Sequence, residues 1–373
     1  MNTGPVLFCG AWDEGPGYPR TTSLRQGVEA SGVPVRDCRV PGLGAAKKAL
    51  LRAPWRWPAA LARHVAQKRR LRAALRSALR EQAPRCVVVP YPGHAVVDVV
   101  RRTTDRPVVL DLFLSAYDTV VEDRGVVAPG SLAARWLQQL DTRACAAADL
   151  VLLDTPENAA YVQALTGLPP ERFAWMPIGD PEAPERPAPW QPPTNGRLRV
   201  LFFGTGVPLH GLSVLLAAVA SAPEIDLVLV GGTDADRADA ARLLGDRLRL
   251  EPAFVDRTRL QHLLAECHLT AGVFGASGKA QRVVPFKVVH ALAAGRPVVT
   301  ADTPALCGWL EGSGACFTVP AADPAALASM LRDLSRSPDR VRAAAEAARP
   351  AYERHFSPAS AAPRWRRLLE AFA

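Results

Sequence analysis

Short runs of valine and leucine alternate with helical stretches along this chain of 373 residues, and this alternation constrains the fold more than any other feature. In the first half we predict strands at residues 6–9, 86–90, 108–113 and 150–153, with helices between them that include 22–30 and 131–148. Near-continuous apolar strands separated by helices are typical of parallel sheets covered on both faces. The sequence therefore predicts an α/β fold.

The same alternation restarts after a segment rich in proline. Residues 177–196 contain seven prolines, which exclude a helix or a central strand, so we predict an interdomain linker there. Beyond it we predict strands at 198–203, 226–230, 269–274 and 297–300, and helices at 212–220, 237–244, 288–294 and 324–334. We expect two doubly wound, Rossmann-like domains that face each other across a ligand cleft.

Cysteine spacing and the N-terminal sequence favour a cytoplasmic protein. The seven cysteines are scattered and never spaced as C-x-x-C, which argues against a disulfide framework and against structural zinc. No lysine or arginine precedes the first apolar run, and no uninterrupted apolar run reaches the length of about 18 residues that a membrane span requires. We therefore predict neither export nor a membrane span.

The positive net charge of +9 is concentrated in one segment, Lys47 to Arg80, which has no acidic residue. The rest of the chain has 34 basic and 36 acidic residues and is therefore close to neutral. Leu71, Leu75 and Leu79 form one helical stripe there with arginines alongside, which is typical of a surface helix that meets anionic lipid. A solvated helix face and an anionic soluble acceptor remain alternatives, whereas nucleic acid is not expected because no recognition module accompanies the charge.

Two segments of the second half suit a diphosphate. The loop from Gly204 through Thr205 and His210 to Gly211 follows a predicted buried strand and precedes a helix, whose first N–H groups attract phosphate. It is neither a G-x-G-x-x-G motif nor a P-loop, so a plain strand-to-helix turn is the alternative. Further along, three cations surround a helix start and form either a diphosphate seat or a solvated basic loop: Lys279, Arg282 and Lys287.

These motifs together resemble those of family 4 glycosyltransferases of the GT-B fold. The similarity rests on Gly272 to Gly275, on R-V-V-P-x-K at 282–287, on A-L-A-x-G-x-P-V-V-T at 291–300, and on the loop ending P-L-H-G at 208–211. It covers most of residues 150–373 in the right order. The resemblance implies an N-terminal acceptor-binding domain (1–178), a linker (179–196), a nucleotide-sugar-binding domain (197–355) and a terminal helix (356–373) that crosses back to the first domain.

The resemblance implies a retaining, metal-independent hexosyl transfer from a nucleotide-diphosphate-sugar to a glycan, lipid-linked or small-molecule acceptor, with no further cofactor. By this likeness, the Gly204 to Gly211 loop, Arg282 and Lys287 hold the diphosphate, and the backbone near Val255 meets the nucleobase. The chain departs from the family where two glutamates are usual, because those positions hold Arg282 and His290. An imidazole replaces the carboxylate that binds the ribose hydroxyls, which leaves a catalytically impaired sugar-nucleotide-binding protein, or one that activates a partner, as the alternative.

The first half supplies the candidate acceptor side. Gly15, Gly17 and Arg20 lie in a glycine-containing segment after the first strand, which resembles the family loop that approaches donor and acceptor. Asp111 lies at a predicted carboxyl strand end, and Asp118 follows in the next loop. Either aspartate is suited to orient an acceptor hydroxyl or accept its proton, and either also fits a helix or turn cap. A location at the inner face of the membrane would suit an enzyme with a lipid-linked acceptor.

Overall fold

The computed structural model describes residues 4–13, 15, 18–41 and 57–372, with the side chains of residues 57–61 left aside. These residues form two compact units. The first contains Met1–Thr119, Val127–Pro177 and Pro358–Ala373, and the second contains Val120–Val126 and Ile178–Ser357.

The first unit is built on a six-stranded parallel sheet with the strand order β2-β1-β3-β4-β5-β6. Strands β1, β3 and β4 are buried along their whole length because both faces of the sheet are covered by helices, as their continuous apolar sequences predict. The strands are β1 (Val6–Gly10), β2 (Val35–Arg39), β3 (Cys86–Val89), β4 (Val108–Asp111), β5 (Leu150–Leu153) and β6 (Phe173–Trp175).

Two separate cores cover the faces of this sheet. On one face, Leu71 and Leu75 pack with the sheet and with Cys145. On the other face, Trp365 packs against Gly27 so closely that a Cβ on the glycine would lie 2.9 Å from the indole ring. The helices are α1 (Pro19–Ala30), α2 (Trp57–Glu81), α3 (Val97–Arg101), α4 (Leu132–Ala146), α5 (Pro156–Thr166) and, at the end of the chain, α14 (Pro358–Glu370).

The second unit repeats the architecture with a parallel sheet of order β12-β11-β10-β7-β8-β9. Its strands are β7 (Leu198–Gly204), β8 (Ile225–Gly231), β9 (Leu248–Leu250), β10 (Leu269–Ala271), β11 (Val298–Ala301) and β12 (Cys316–Val319). Its helices are α6 (Leu212–Ala220), α7 (Asp234–Leu244), α8 (Arg257–Glu266), α9 (Gly278–Arg282), α10 (Phe286–Ala293), α11 (Pro304–Leu310), α12 (Pro324–Ser335) and α13 (Pro338–His355). The predicted α/β class with parallel sheets is confirmed in both units.

The proline-rich segment 177–196 contains neither helix nor strand. Side chains of the second unit hold it through its carbonyl groups, because Arg296 donates to the carbonyl of Ala188 and Arg349 donates to that of Pro184. Near its start, the Tyr352 hydroxyl donates to the carbonyl of Asp180 at 3.1 Å. The segment therefore has a fixed course along the second unit without regular secondary structure.

Two predicted strands end earlier than their apolar sequences suggest. The strand predicted at 108–113 stops at Asp111, and Phe113 takes a left-handed backbone conformation with φ +53°. The strand predicted at 269–274 stops at Ala271. The residues beyond Ala271 are buried by loop packing, since Phe274 donates its backbone N–H to the carbonyl of His210. A continuous apolar sequence therefore indicates burial at these two places, but it does not indicate where the strand ends.

Candidate functional site

The loop between β7 and α6 has a tightly fixed backbone. Gly211 has φ +58°, and a Cβ there would lie 2.6 Å from backbone atoms of Phe274 and Gly275, so only glycine fits. Those residues follow β10 and donate backbone hydrogen bonds to the carbonyls of His210 and Leu209, at 3.0 and 3.1 Å. Two loops at the carboxyl edge of the sheet are thereby joined in front of the start of α6.

A lysine amine is buried beside this loop, and no residue that the structure describes gives it a hydrogen bond or a carboxylate partner. Lys287, in the first turn of α10, is 6% exposed, and its Nζ makes no hydrogen bond. The Nζ atom lies 3.9 Å from the centroid of the Phe202 ring, and a Cβ added to Gly204 would come within 3.1 Å of it. Burial lowers the pKa of Lys287 well below its usual value, because it removes water from the ammonium group. A charge buried in this way calls for an anionic ligand.

His210 lies in the same cluster. Its Cε1 atom is the nearest neighbour of a Cβ placed on Gly204, at 2.7 Å, and its Nδ1 atom is buried without a hydrogen bond. Burial, and then the charge of Lys287, lower the pKa of His210 to about 3. The imidazole is therefore neutral near pH 7, and it offers polar nitrogens without adding a second charge. The glycine loop (Gly204 to Gly211), Lys287 and the neutral His210 together form a small polar cluster at the end of β7, which we call the cradle.

The other two predicted cations stand on the neighbouring helix α9, which Ser277 caps by accepting a hydrogen bond from the backbone N–H of Ala280. Lys279 is buried, with 6% of its surface exposed. Arg282 pairs with Glu122, a residue of the 120–126 segment of the same unit, at 3.6 Å. Arg282 is thus already engaged with a carboxylate, whereas Lys287 is not.

His290 lies one turn beyond Lys287 on α10. It is 7% exposed, and its ring stands between those of Phe203 and Phe286, with centroids 5.8 and 5.7 Å away. Its Nδ1 atom lies 2.9 Å from Oδ2 of Asp180, although the angle of that contact is not that of a hydrogen bond. The structure therefore pairs the histidine with a carboxylate from the start of the proline-rich segment, which the sequence did not single out.

The remaining predicted donor residues lie on loops of the second unit. Val255 is half-buried in the loop between β9 and α8, next to Phe254, which is 74% exposed. Asp256 caps α8 by accepting from the backbone N–H of Arg259 at 2.7 Å. Thr205 is exposed in the loop after β7. No contact in the described structure joins these residues to Lys287.

In the first unit, Arg20 and Asp111 form a buried ion pair. Oδ1 of Asp111 accepts from Nε and Nη2 of Arg20 at 3.0 and 2.8 Å, and the guanidinium also donates to the carbonyls of Met176 and Leu153. Asp111 is fully buried and Arg20 is 3% exposed. Every nitrogen of Arg20 is thus engaged with the protein, and the pair joins α1 to the ends of three strand segments.

The other predicted residues of the first unit have separate surroundings. Asp118 is 2% exposed and begins a short π-helical turn, where its backbone N–H donates to the Ser115 hydroxyl. Gly15 has φ +112° with open space around it, and Gly17 lies outside the described residues. The structure brings together Arg20 and Asp111 in this unit, and Lys287, His210 and the glycine loop in the other.

Asp141 organises the loop before Asp118, and sequence reasoning missed it. Its carboxylate accepts from the Ser115 hydroxyl and from the backbone N–H groups of Ala116 and Tyr117, and it lies 2.9 Å from Nε2 of His94. These contacts lower its pKa despite the opposing effect of burial. Asp141 stands inside a helix, where no local motif marks it, so only the tertiary structure reveals this role.

The basic helix α2 is amphipathic. Leu71 and Leu75 are fully buried in the core, so these leucines pack on the unit, and Leu79 is partly buried against the same core. Arg69, Arg70, Arg72, Arg76 and Arg80 are exposed. Lys47 to Arg56, the beginning of the basic segment, lies outside the described residues. In the part of the chain that the structure describes, no helix is long and apolar enough to cross a membrane.

One comparison with known proteins matches most of the second unit. Residues 197–337 match the family model of Glycosyl transferases group 1. No curated protein matches the chain.

Solved structures with the same fold cover between 82% and 98% of the chain. HepE from Anabaena, solved with UDP, is 16% identical, with a TM-score of 0.65 over 98% of this chain and 100% of that one. Sucrose-phosphate synthase from Thermosynechococcus elongatus is 18% identical, with a TM-score of 0.60 over 82% and 78%. A putative UDP-N-acetylglucosamine 2-epimerase from Listeria monocytogenes is 15% identical, with a TM-score of 0.56 over 98% and 96%. These likenesses confirm the predicted fold.

Proposed function

Because the chain has the GT-B fold and its residues 197–337 belong to the glycosyl transferases group 1, we propose that it is a retaining glycosyltransferase. It moves a hexose from a nucleotide-diphosphate-sugar to a cell-envelope glycan, lipid-linked or small-molecule acceptor. The observation that carries the proposal is the unpartnered ammonium group of Lys287, buried beside the glycine loop at the end of β7. A diphosphate is the ligand that this cation and the first N–H groups of α6 suit best.

The main chemical demand on such a site is stabilisation of the leaving diphosphate, on which negative charge grows as the bond to the anomeric carbon breaks. With a diphosphate bound, Lys287 supplies a positive charge in surroundings of low polarity, where electrostatic interactions are strongest. His210 stays neutral and adds polar nitrogens, while Lys279 and Arg282 extend the positive charge along α9. With these groups in place, we propose that departure of the diphosphate needs no metal ion.

On the acceptor side, we propose that Asp111 acts through Arg20. All the nitrogens of that guanidinium are engaged, so the pair fixes the beginning of α1, from which the segment with Gly15 extends. A direct role of Asp111 or Asp118 in accepting the acceptor's proton stays a prediction. An Asp118→Asn variant tests it: loss of turnover with unchanged donor binding would support the role, and full turnover would exclude it.

The exposed arginines of α2 support an anionic membrane surface as the place where the acceptor is met. Each basic residue near such a surface contributes about 1 kcal/mol of attraction, so reversing three charges weakens binding strongly. We expect wild-type protein to co-sediment with vesicles containing phosphatidylserine, and an Arg69→Glu, Arg70→Glu, Arg72→Glu variant to stay in the supernatant. Reversal of three exposed arginines of the second unit, Arg242, Arg336 and Arg354, is the matched control. Wild-type protein that ignores the vesicles would contradict the membrane proposal.

The transferase proposal is tested by incubating the protein with UDP-, GDP- and ADP-sugars and measuring release of the nucleoside diphosphate with and without acceptors. We expect release with one donor and, once an acceptor is found, a product whose anomeric configuration by NMR equals that of the donor. An inverted product would contradict retention. Tight donor binding without release in any combination would favour the impaired, sugar-nucleotide-binding alternative.

A further inference from the structure

Two large apolar side chains are exposed on the outer face of α4 in the first unit. Leu132 is 83% exposed and Trp136 is 61% exposed. They are four residues apart, so they are neighbours on one face of the helix and form an apolar patch, which we call the α4 patch. A single exposed leucine is ordinary, whereas an exposed leucine beside an exposed tryptophan marks a surface that binds a partner.

The exposed charges of α4 are positive. Arg135 and Arg143 are exposed, whereas Asp141, the one acidic residue of the helix, is fully buried. The carboxylate of Asp141 is already occupied by the Ser115 hydroxyl and by backbone N–H groups. The outer surface of α4 therefore combines a leucine, a tryptophan and two arginines without a carboxylate. This combination is typical of a helix that lies in the interface of an anionic bilayer, where tryptophan is enriched.

The basic helix α2 covers the same face of the sheet as α4. Both helices pack against one core there, and both flank the segment 94–101. On one side of this segment, Lys68 of α2 pairs with Asp98 at 3.2 Å. On the other side, Asp141 of α4 lies 2.9 Å from Nε2 of His94. The exposed arginines of α2 and the α4 patch therefore belong to one surface of the first unit.

An anionic lipid surface fits this surface better than a second copy of the chain does. In a two-fold dimer the same patch of each copy meets itself. Arg135 and Arg143 would then face arginines of the other copy, and α4 has no exposed carboxylate to compensate them. In a bilayer, by contrast, lipid phosphates meet the arginines and the acyl region takes up the apolar side chains.

The position of the α4 patch determines which part of the unit meets the lipid. Helix α4 connects β4 to the parallel strand β5, so it begins at the carboxyl edge of the sheet and returns to the amino edge. Leu132 is the first residue of α4 and Trp136 is one turn further, so the patch lies at the carboxyl edge. Asp111 ends β4 at the same edge, and Asp118 lies in the segment that leads to α4.

We propose that Leu132 and Trp136 insert into the interface of an anionic bilayer and hold the carboxyl edge of the first sheet against it. The arginines of α2 supply attraction that salt screens, and the α4 patch supplies an apolar anchor that salt does not screen. This inference rests on the membrane contact in the proposed function and does not depend on sugar transfer. Among the proposed acceptors, a lipid-linked one is the class that suits an edge held at the membrane.

The test measures co-sedimentation with vesicles of phosphatidylcholine and phosphatidylserine at low and at high salt, because the Debye length falls from about 10 Å at 0.1 M to about 3 Å at 1 M. At low salt we expect a Leu132→Ala, Trp136→Ala variant to bind at least tenfold more weakly than wild type. At high salt the wild type should keep part of its binding and the variant none. A Leu243→Ala, Leu250→Ala variant is the matched control, because these leucines are exposed on the second unit, and it should bind as wild type does.

Insertion of Trp136 itself is measured with vesicles whose acyl chains carry bromine, which quenches the fluorescence of a tryptophan that it contacts. The chain has eight tryptophans, so the signal of Trp136 is the difference between wild type and Trp136→Phe. We expect that difference signal to be quenched by the brominated vesicles. Trp190→Phe replaces a partly buried tryptophan of the second unit and should leave the quenching unchanged.

Equal vesicle binding by wild type and the double alanine variant, without quenching of Trp136, would overturn the insertion and leave the electrostatic contact of α2 standing. Wild type that binds no vesicle would overturn the insertion and the membrane contact together, while release of nucleoside diphosphate from a sugar donor would still support the transferase. A wild-type dimer that becomes a monomer in the double alanine variant by ultracentrifugation, with vesicle binding unchanged, would assign the α4 patch to a second copy and overturn the proposal.

Discussion

Replacing Lys287 by methionine separates two effects of its ammonium group: the loss of folding stability that its burial causes, and its proposed role in binding a diphosphate. The side chain is 6% exposed, its Nζ has no hydrogen bond, and it lies against the Phe202 ring. Methionine has a similar length and is apolar, so it fits the same space without a charge to desolvate. We expect Lys287→Met to stabilise the free protein at neutral pH while it removes the main cation of the diphosphate cradle.

The size of the effect follows from proton linkage. Burial lowers the pKa of Lys287 well below 10.5, whereas the unfolded chain keeps the ordinary value of a lysine. Between the folded and the unfolded pKa, the unfolded state therefore binds one more proton than the folded state. Stability of the wild type consequently rises with pH in this window, by about 1.4 kcal/mol per pH unit, and the rise ends near the unfolded pKa of about 10.4.

The stability of Lys287→Met does not depend on this proton. Its higher free energy of unfolding relative to wild type therefore shrinks by the same amount per pH unit. Between the lowered folded pKa and the unfolded pKa of about 10.4, we expect the difference in unfolding free energy to fall by about 1.4 kcal/mol per pH unit, which is roughly 3–5 °C in the melting temperature of a unit of this size. Urea unfolding of both proteins at three pH values measures it, because other titrating groups cancel in the difference.

Lys68→Met is the matched control. Lys68 is partly exposed and pairs with Asp98 at 3.2 Å, so this substitution removes an ion pair near solvent and no buried, unpaired amine. A pH-independent difference between wild type and Lys287→Met would show that Lys287 is protonated in the folded protein. That result would refute the reasoning, since the ammonium group would then have a compensating partner.

Three further predictions concern the backbone, a histidine and an ion pair. Gly211→Ala should destabilise the second unit by at least about 2 kcal/mol, because its Cβ meets backbone at 2.6 Å, whereas Gly312→Ala, with φ +70° and open space, should cost about 1 kcal/mol in the same urea assay. His210 has a folded pKa of about 3, so the unfolding free energy of the wild type should fall as the pH drops below 6.5, by up to about 1.4 kcal/mol per pH unit. The unfolding free energy of His210→Gln should depend less on pH in this range. Equal pH dependence of the two proteins would contradict the burial of a neutral ring. Asp111→Asn leaves its buried arginine partner uncompensated and should cost about 3–5 kcal/mol, against less than about 1 kcal/mol for the partly exposed Asp98→Asn; similar losses would contradict the account.

The alternation of apolar runs and helices predicts most of the parallel strands, because a strand buried on both faces must be apolar throughout. It misses β2, whose sequence Val35–Arg39 carries three charged side chains at the edge of its sheet. It also misses β6 and β12, edge strands of three and four residues. Edge strands face solvent, so their sequences lack the signal that burial imposes.

Part of the candidate site was equally predictable. The glycine loop, Lys287 and His210 follow from the position of motifs at carboxyl strand ends, and the structure brings these three together. The partners of buried charges were not predictable, because Arg20 meets Asp111 across 91 residues of sequence and Asp180 meets His290 across 110. Such pairs depend on tertiary packing and carry no local pattern.

The central claim is that Lys287 binds the diphosphate of a nucleotide donor. Calorimetric titration of wild type and Lys287→Ala with UDP, GDP and ADP tests it most directly. We predict that one nucleotide binds the wild type and that the substitution weakens this binding by about 2–4 kcal/mol, roughly 30- to 1000-fold, as expected for a charge in a desolvated site. Equal affinity of the two proteins for that nucleotide would contradict the claim.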